Sequence, residues 1–416
     1  MPEHVVTFDA ASLQDPHGFY APLLREERPV HQTVMPQGTK VWVVTRYADA
    51  RAALADSRLR KDADRLTALF ERQQPGAQRA DDENINKHML DADPPDHTRL
   101  RKLVTKAFTA RRIEGLRPRV QEISDALIAT MVATAQDGPL DLLDEYAFPL
   151  PITVICELLG VSTDARDDFR KWTNAAISSG PRDEALAAQV AMGQYLAGLI
   201  EAKRAEPADD LLSALIRASD DEDQLSSGEI LTMVFLLMIA GHETTVNLIG
   251  NGVLALLRNP GQLAALRADR SLLPSAIEEF LRFDGPVNLA TFRFTEEEIE
   301  LGGVTIPKDE FVLISLLAAN RDPRQYEDAD RLDVARDPSH VAFGHGIHFC
   351  LGAPLARMEA QIAFAGLLDH FDDIELAVPT EDLEYRISSL MHGLVRLPVL
   401  LRPRTAAIVS ADTTTG

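Results

Sequence analysis

Cysteine is nearly missing from this chain: Cys156 and Cys350 are the two present in 416 residues. Two thiols give no disulfide framework, in keeping with a reducing cytoplasm. Basic charge is scarce as well. Lys and Arg number 42 against 64 Asp and Glu, a formal net charge of −22, which argues against nucleic acid or an anionic membrane as a target. Residues 1–9 lack the basic and apolar regions of a signal peptide, so the cytoplasm is the expected location. Linkers and internal repeats are missing too, and low-complexity sequence is confined to residues 410–416. Length alone would suggest roughly two or three domains. The lack of any boundary favours one large domain over 1–408, with a flexible tail at 409–416. Its 45% apolar and 25% charged residues can bury a substantial core.

What is present reads as mainly α with smaller β-sheets. Residues 41–45 are a β-rich run, followed by a helical pattern over 47–55. Residues 57–95 are charged and irregular, a long loop with at most one short helix, and long loops in compact domains are usually functional. Amphipathic helices are expected to begin near Thr98, Ile113, Thr153, Asp164, Asp183, Asp209 and Ser227, with two more over 260–268 and 274–283. After a break at Asp284-Gly285-Pro286, short strands run through Val304 and Val312, and 351–370 is helical again. The stretch 231–257 is apolar and long enough to cross a membrane, but His242, Glu243, Asn247 and Asn251 interrupt it. Ionisable groups at mid-bilayer are expensive, so a buried central helix is predicted instead.

Chemistry concentrates in three places. Phe343-Gly344-His345-Gly346-Ile347-His348-Phe349-Cys350-Leu351-Gly352 sets an unpaired cysteine among glycines at the start of an apolar helix. A helix N-terminus lowers a thiol pKa through its macrodipole and free N–H groups. Gly344, Gly346 and Gly352 let the backbone lie against something large and planar. Cys156, inside an apolar run, reads as inert core packing.

The second place is Ala240-Gly241-His242-Glu243-Thr244-Thr245, which puts a carboxylate inside the apolar helix. That is costly unless the group is paired or reaches water. The threonine hydroxyls after it can bond back to the helix and bend it. Such breaks in local pattern are expected at functional sites; the alternative is a structural Glu with a satisfied hydrogen bond. Met233, Leu237, Ala240 and Thr244 share a helical face that either lines a pocket or, for Met233, is ordinary core. His242 reads as a helix-packing residue. The third place, 93–101, closes a loop and opens a helix with His97 and Arg101 one turn apart.

Phe343, Gly344, Gly346, His348, Cys350 and Gly352 match the cysteine-ligand loop of cytochromes P450, and the order of helices and strands resembles that fold along nearly the whole chain. The resemblance implies haem b with Cys350 as its axial thiolate ligand. It implies that Ala240 and Gly241 border the oxygen site, Gly241 making room for dioxygen. Thr244 would hydrogen-bond the oxygen, and Glu243 would relay protons. His97, Arg101, Arg293 and His348 would hold the propionates. Glu279 and Arg282 would form a structural pair joined by Arg331.

The activity implied is monooxygenation with O2, hydroxylating or epoxidising a bulky apolar molecule. With no fused flavin or iron–sulfur module in the chain, electrons from NAD(P)H would pass through a reductase and a separate ferredoxin. Arg99, Arg101, Lys102, Lys106, Arg111, Arg112, Arg117 and Arg119 cluster against a single acid, Glu114, and such a basic island suits an acidic partner. A solvated helix face is the plainer account of it. A monomer without a membrane anchor is expected. The wording around 90–104 and 240–249 is similar to actinobacterial P450s that oxidise macrolides and other polyketides, with steroid or secosteroid hydroxylation as the alternative. Ala240, Leu90, Leu237, Val287, Asn288, Leu289, Leu390 and Met391 are the pocket candidates. Asp81, Asp82, Glu83 and Asp91 either receive a cationic amino sugar or form a solvated patch. Two further readings are a peroxide-driven haem-thiolate enzyme and a haem sensor without turnover.

Overall fold

The computed structural model describes residues 6–74, 87–135, 138–177, 182–220 and 225–404. The expected tail at 409–416 and the acidic residues Asp81, Asp82 and Glu83 lie outside them. The central helix, Ser227–Arg258, begins at a reciprocal cap. The Glu229 amide donates to Ser226 Oγ at 3.2 Å and the Ser226 amide to Glu229 Oε2 at 2.8 Å, satisfying donors that a helix start leaves open. At 1.5 Å per residue the helix is about 48 Å long. Of its most apolar window, 72% is buried inside the protein, so it is the core helix the interrupting polar residues predict. It packs on Pro149–Leu159, Leu273–Asp284 and Ala353–His370, and together these build the main hydrophobic cluster.

A six-stranded sheet stands beside this helical body, in the order Val6–Thr7, Val30–Val34, Lys40–Val44, Phe311–Ile314, Arg293–Thr295, Leu59–Arg60. Trp42 lies opposite Val312 in the parallel pair, and Arg293 opposite Val312 on the antiparallel side. That register fixes where Arg293 emerges. Leu59–Arg60 closes the edge, with Arg60 opposite Phe294, so Lys61 follows directly beside Arg293–Thr295.

The stretch expected to be irregular is better ordered than its charge suggests. It holds the Leu59–Arg60 strand, an 11-residue helix, Ala63–Gln73, and a 3-10 turn, Met89–Asp91. Asp62 caps the helix by accepting from the Arg65 amide at 2.7 Å. Leu66 and Leu69 are buried, while Asp64, Arg65, Glu71 and Arg72 are exposed. A one-sided helix this rich in charge hides its apolar stripe from a reading of composition.

Candidate active site

The cysteine loop owes its path to two glycines. Gly344 and Gly346 both have φ of +73°, a region closed to most side chains. A Cβ on Gly346 would also come within 3.1 Å of Ala55 Cα and Leu54 O, so its missing side chain serves the contact with the Tyr47–Ala55 helix rather than a planar group. Gly352 has ordinary helical backbone and is the N-cap of Ala353–His370 with no side-chain cap. The Cys350 sulfur takes that place, accepting from the amides of Gly352 and Ala353. Even so, burial pushes the thiol up against these amides and the charges of Arg101 and Arg357. The helix N-terminus alone therefore does not outweigh burial, contrary to the simple expectation. A bound metal ion is what would take the proton off this sulfur. Cys156 is fully buried, with its thiol pushed up to about 12, and is inert as expected.

Sequence reasoning missed what holds the loop. Arg357 donates bidentately to Glu278, Nε to Oε1 at 2.6 Å and Nη2 to Oε2 at 2.7 Å. His340 Nε2 meets the same carboxylate at 3.0 Å, and the Arg357 guanidinium lies 4.5 Å over the Phe343 ring. Burial would raise the Glu278 carboxyl, but Arg357 and His340 hold it down at about 2.

In the central helix, neighbouring residues face different ways. Ala240 is exposed, Gly241 and Thr244 are half-buried, and Glu243 is buried. Thr244 Oγ1 donates to Ala240 O at 3.0 Å. Glu243 Oε2 accepts from Arg386 Nη1 at 3.2 Å, and its Oε1 lies 3.5 Å from both Thr173 Oγ1 and His242 Nε2. Burial would raise this carboxyl; His242, Arg386 and Thr173 together hold it below the usual range. His242 packs, as predicted: Nδ1 meets Met238 O at 2.7 Å, and Phe148 meets its ring edge-on. Gly241 departs from expectation. A Cβ there would lie 2.8 Å from Ile155 Cδ1, so the missing side chain admits the Pro149–Leu159 helix rather than dioxygen. Met233 is core, fully buried.

His97, Arg101, Arg293 and His348 converge, although they come from a helix, a strand and the cysteine loop. The rings of His97 and His348 lie 4.4 Å apart, and Arg101 Nη2 donates to Phe349 O at 2.6 Å. Burial, then Lys61, His97, Arg293 and Arg101, push His348 down to about 2. Burial likewise lowers Arg293 to about 10. His97 Nε2 and Arg293 Nε are buried with no hydrogen-bond partner among the described residues. Orphaned buried donors in a cationic cluster call for an anion, and the two carboxylates of haem fit that demand. Lys61 joins the cluster and was not foreseen; it is 2% exposed.

Among the pocket candidates, Leu90 and Leu237 border the main cluster. Val287 pairs with Met391, and the Asn288 amide donates to Leu390 O at 2.9 Å. Leu390 is exposed. Asn288 and Leu289 turn inward instead. Asn288 Oδ1 accepts from Tyr20 Oη at 2.8 Å, and Leu289 belongs to the cluster of Phe8 and Tyr20; a buried polar partner and a satellite core claimed these two. Glu279 and Arg282 form a fully buried bidentate pair at 2.7 and 2.8 Å. The third member is Arg336, 3.3 Å from Glu279 Oε1. Arg331 contributes only its carbonyl to Arg282, while its exposed side chain pairs with Asp328 and Asp333.

A thiol seated on free helix amides beside an anion-seeking basic cluster is the donor set of a haem-thiolate oxygenase. The chain belongs to the cytochrome P450 family, whose model matches residues 171–391. It is 53% identical over 398 residues to cytochrome P450 107B1 of Saccharopolyspora erythraea, covering 95% of this chain and 97% of that protein. It is 50% identical over 402 residues to vitamin D(3) 25-hydroxylase of Pseudonocardia autotrophica, covering 96% and 97%. The solved structure of the tirandamycin C-bound P450 monooxygenase TamI matches with a TM-score of 0.89 at 49% identity, covering 95% of this chain and 100% of that one. Family members carry haem on a cysteine thiolate and use O2 with electrons from NAD(P)H delivered by redox partners. This chain is a monooxygenase of that kind, related to the actinobacterial macrolide and polyketide enzymes.

Proposed function

We propose that the chain oxidises a bulky, mostly apolar macrolide or polyketide by hydroxylation or epoxidation, with Cys350 as the haem ligand and Glu243 and Thr244 as its proton-handling pair. When bound, the haem supplies the site where O2 is reduced and its oxygen passed to substrate. The residues do the rest. His97, Arg101, Arg293 and His348 meet the carboxylates, and Phe343, Gly344, Gly346 and Gly352 shape the loop behind the sulfur. Thr244 presents a hydroxyl from the accessible face of the helix. Glu243, one residue back, keeps a charged carboxylate in a buried setting.

The observation that carries this reading is that pair of neighbours, one hydroxyl half-exposed and one carboxylate buried yet ion-paired. Peroxide-driven turnover and turnover-free sensing give it no work. Replacing Thr244 by Ala is expected to leave haem content intact while oxygen consumption outruns product; unchanged coupling would refute the relay.

Asp91 lies 3.8 Å from Lys61, a pairing that favours a neutral substrate over a cationic amino sugar. A secosteroid is the second reading, favoured by the kinship with a vitamin D(3) hydroxylase. Spectral titration of the holoprotein against macrolide and secosteroid panels separates the two. Ferredoxin docking is assigned to part of the basic segment. Arg99 pairs with Glu229, Arg112 with Asp209, Arg117 with Glu114 and Arg119 with Glu157. Lys106 and Arg111 are exposed on the same segment, and Ile347 and Phe349 are exposed in the loop that Arg101 grips. A cytoplasmic monomer served by a separate reductase and ferredoxin completes the proposal.

A further inference from the structure

Lys61 is one of the largest fully buried side chains of the described residues. It follows the Leu59–Arg60 edge strand, and its Nζ donates to Thr291 Oγ1 at 2.5 Å. A threonine oxygen cannot balance an ammonium with three donors. Burying such an ion without full compensation costs several kcal/mol. Asp91 is its ion-pair partner, but at 3.8 Å and partly exposed it answers the charge only in part. Asp93 Oδ2 already accepts from Arg60 Nε at 3.1 Å and from the Lys61 amide at 2.8 Å.

Among the other neighbours Arg293 is a second buried cation. Lys61 acts electrostatically on His97 and His348, and Arg293 acts on Lys61. Burial, the largest influence, lowers the ammonium to about 8. The cluster therefore holds more buried positive charge than its own acids answer, with donors of His97 and Arg293 left open in the same place. A doubly charged anion answers all of it together.

We propose that Lys61 is a fifth ligand of the haem carboxylates, beside His97, Arg101, Arg293 and His348, with Thr291 holding its Nζ in place. The proposal rests on the haem-thiolate reading. A buried cation next to the cofactor also favours the reduced state, so Lys61 helps to set the potential at which the enzyme accepts its first electron.

The test uses Lys61→Met and Lys61→Arg in the full-length holoprotein, reading haem release to excess apomyoglobin and the ferric/ferrous midpoint potential. Losing one charge-assisted hydrogen bond corresponds to about tenfold, so Lys61→Met is expected to release haem about tenfold faster. It should also shift the ferric/ferrous ratio about fivefold toward ferric, about 40 mV downward at 59 mV per tenfold. Lys61→Arg, which keeps the charge, is expected to return both to within about twofold of wild type. A Lys61→Met protein that matches wild type in release and potential overturns the proposal. Should Lys61→Met yield no holoprotein, Thr291→Val loosens only the tether; the same two readouts must then move in the same directions, or the assignment fails. Wild-type protein without haem would sink the parent reading instead, a result distinct from either.

Discussion

Replacing Arg386 by Met tests how a carboxylate is kept charged inside the central helix. Glu243 is 2% exposed and Arg386 18%, and their closest atoms are 3.2 Å apart. Arg386 Nη1 also donates to Asn174 Oδ1 at 3.0 Å. Removing one partner of a buried pair costs about 3–5 kcal/mol. The lower end applies here, because His242 and Thr173 remain near Glu243 and Arg386 is partly wet. For 416 residues, unfolding entropy amounts to about 0.9 kcal/mol per degree, so Tm is expected to fall by about 3 °C at pH 7.

The sign with pH follows from the lowered Glu243 carboxyl. Its contribution is present above the ordinary carboxylate pKa and is lost as pH falls through the lowered value. Without Arg386 that loss sets in at higher pH, so the gap between variant and wild type is widest near neutrality and narrows in acid. In a Glu243→Gln background, Arg386→Met is expected to cost less than about 1 kcal/mol, since no charge is left to strand. Calorimetry of the four holoproteins between neutral and mildly acidic pH reads the cycle. Equal losses in both backgrounds at every pH would refute the reasoning.

Three other outcomes follow from the structure. Arg282→Leu takes the bidentate partner from Glu279, leaving it Arg336 alone among cations, and removes donors from the carbonyls of Asn320, Ala329 and Arg331. It should cost about 4–5 kcal/mol in thermal unfolding, whereas Arg331→Ala, at an exposed side chain, should stay within about 0.5 kcal/mol. Gly241→Ala drives a methyl into Ile155 and should cost about 1–3 kcal/mol, with Ile155→Val giving part of it back in a denaturation series. Reversing Lys106 and Arg111 to Glu should slow electron delivery from ferredoxin about tenfold at low salt, with the deficit shrinking as salt rises and Tm unmoved.

The cysteine loop and the central helix were legible in the sequence because each breaks a local rule: glycines around a lone thiol, a carboxylate in an apolar helix. The Glu279–Arg282 pair, at a common spacing, was expected only from the family resemblance. The 63–73 helix was not, because its buried stripe is only Leu66 and Leu69 among charged neighbours. Nor were the partners that act across space. Arg386 reaches Glu243 over 143 positions, and Arg357 reaches Glu278 over 79. No periodicity within one element carries information of that range. Arg336 over Arg331 is the same failure on a small scale, since a turn decides which of two nearby arginines points inward. Lys61 gave no signal at all, for a lysine after a short strand is ordinarily wet.

Adjacent residues doing opposite work recur through this molecule, and helix geometry explains why. Successive side chains diverge by about 100°, so a helix lodged between the core and the cofactor side can serve both with consecutive positions. Glu243 turns to Thr173 and Arg386 while Thr244 keeps to the accessible face. Glu278 turns to Arg357 and His340 at the cysteine loop, while Glu279 turns to Arg282 and Arg336 in the core. In both helices the residue on the cofactor side sits beside one held by ion pairs, Glu243 by Arg386 and Glu279 by Arg282 and Arg336. Loosening the ion-paired member of either pair must therefore disturb its neighbour, since a rotation of the shared helix moves both by the same angle.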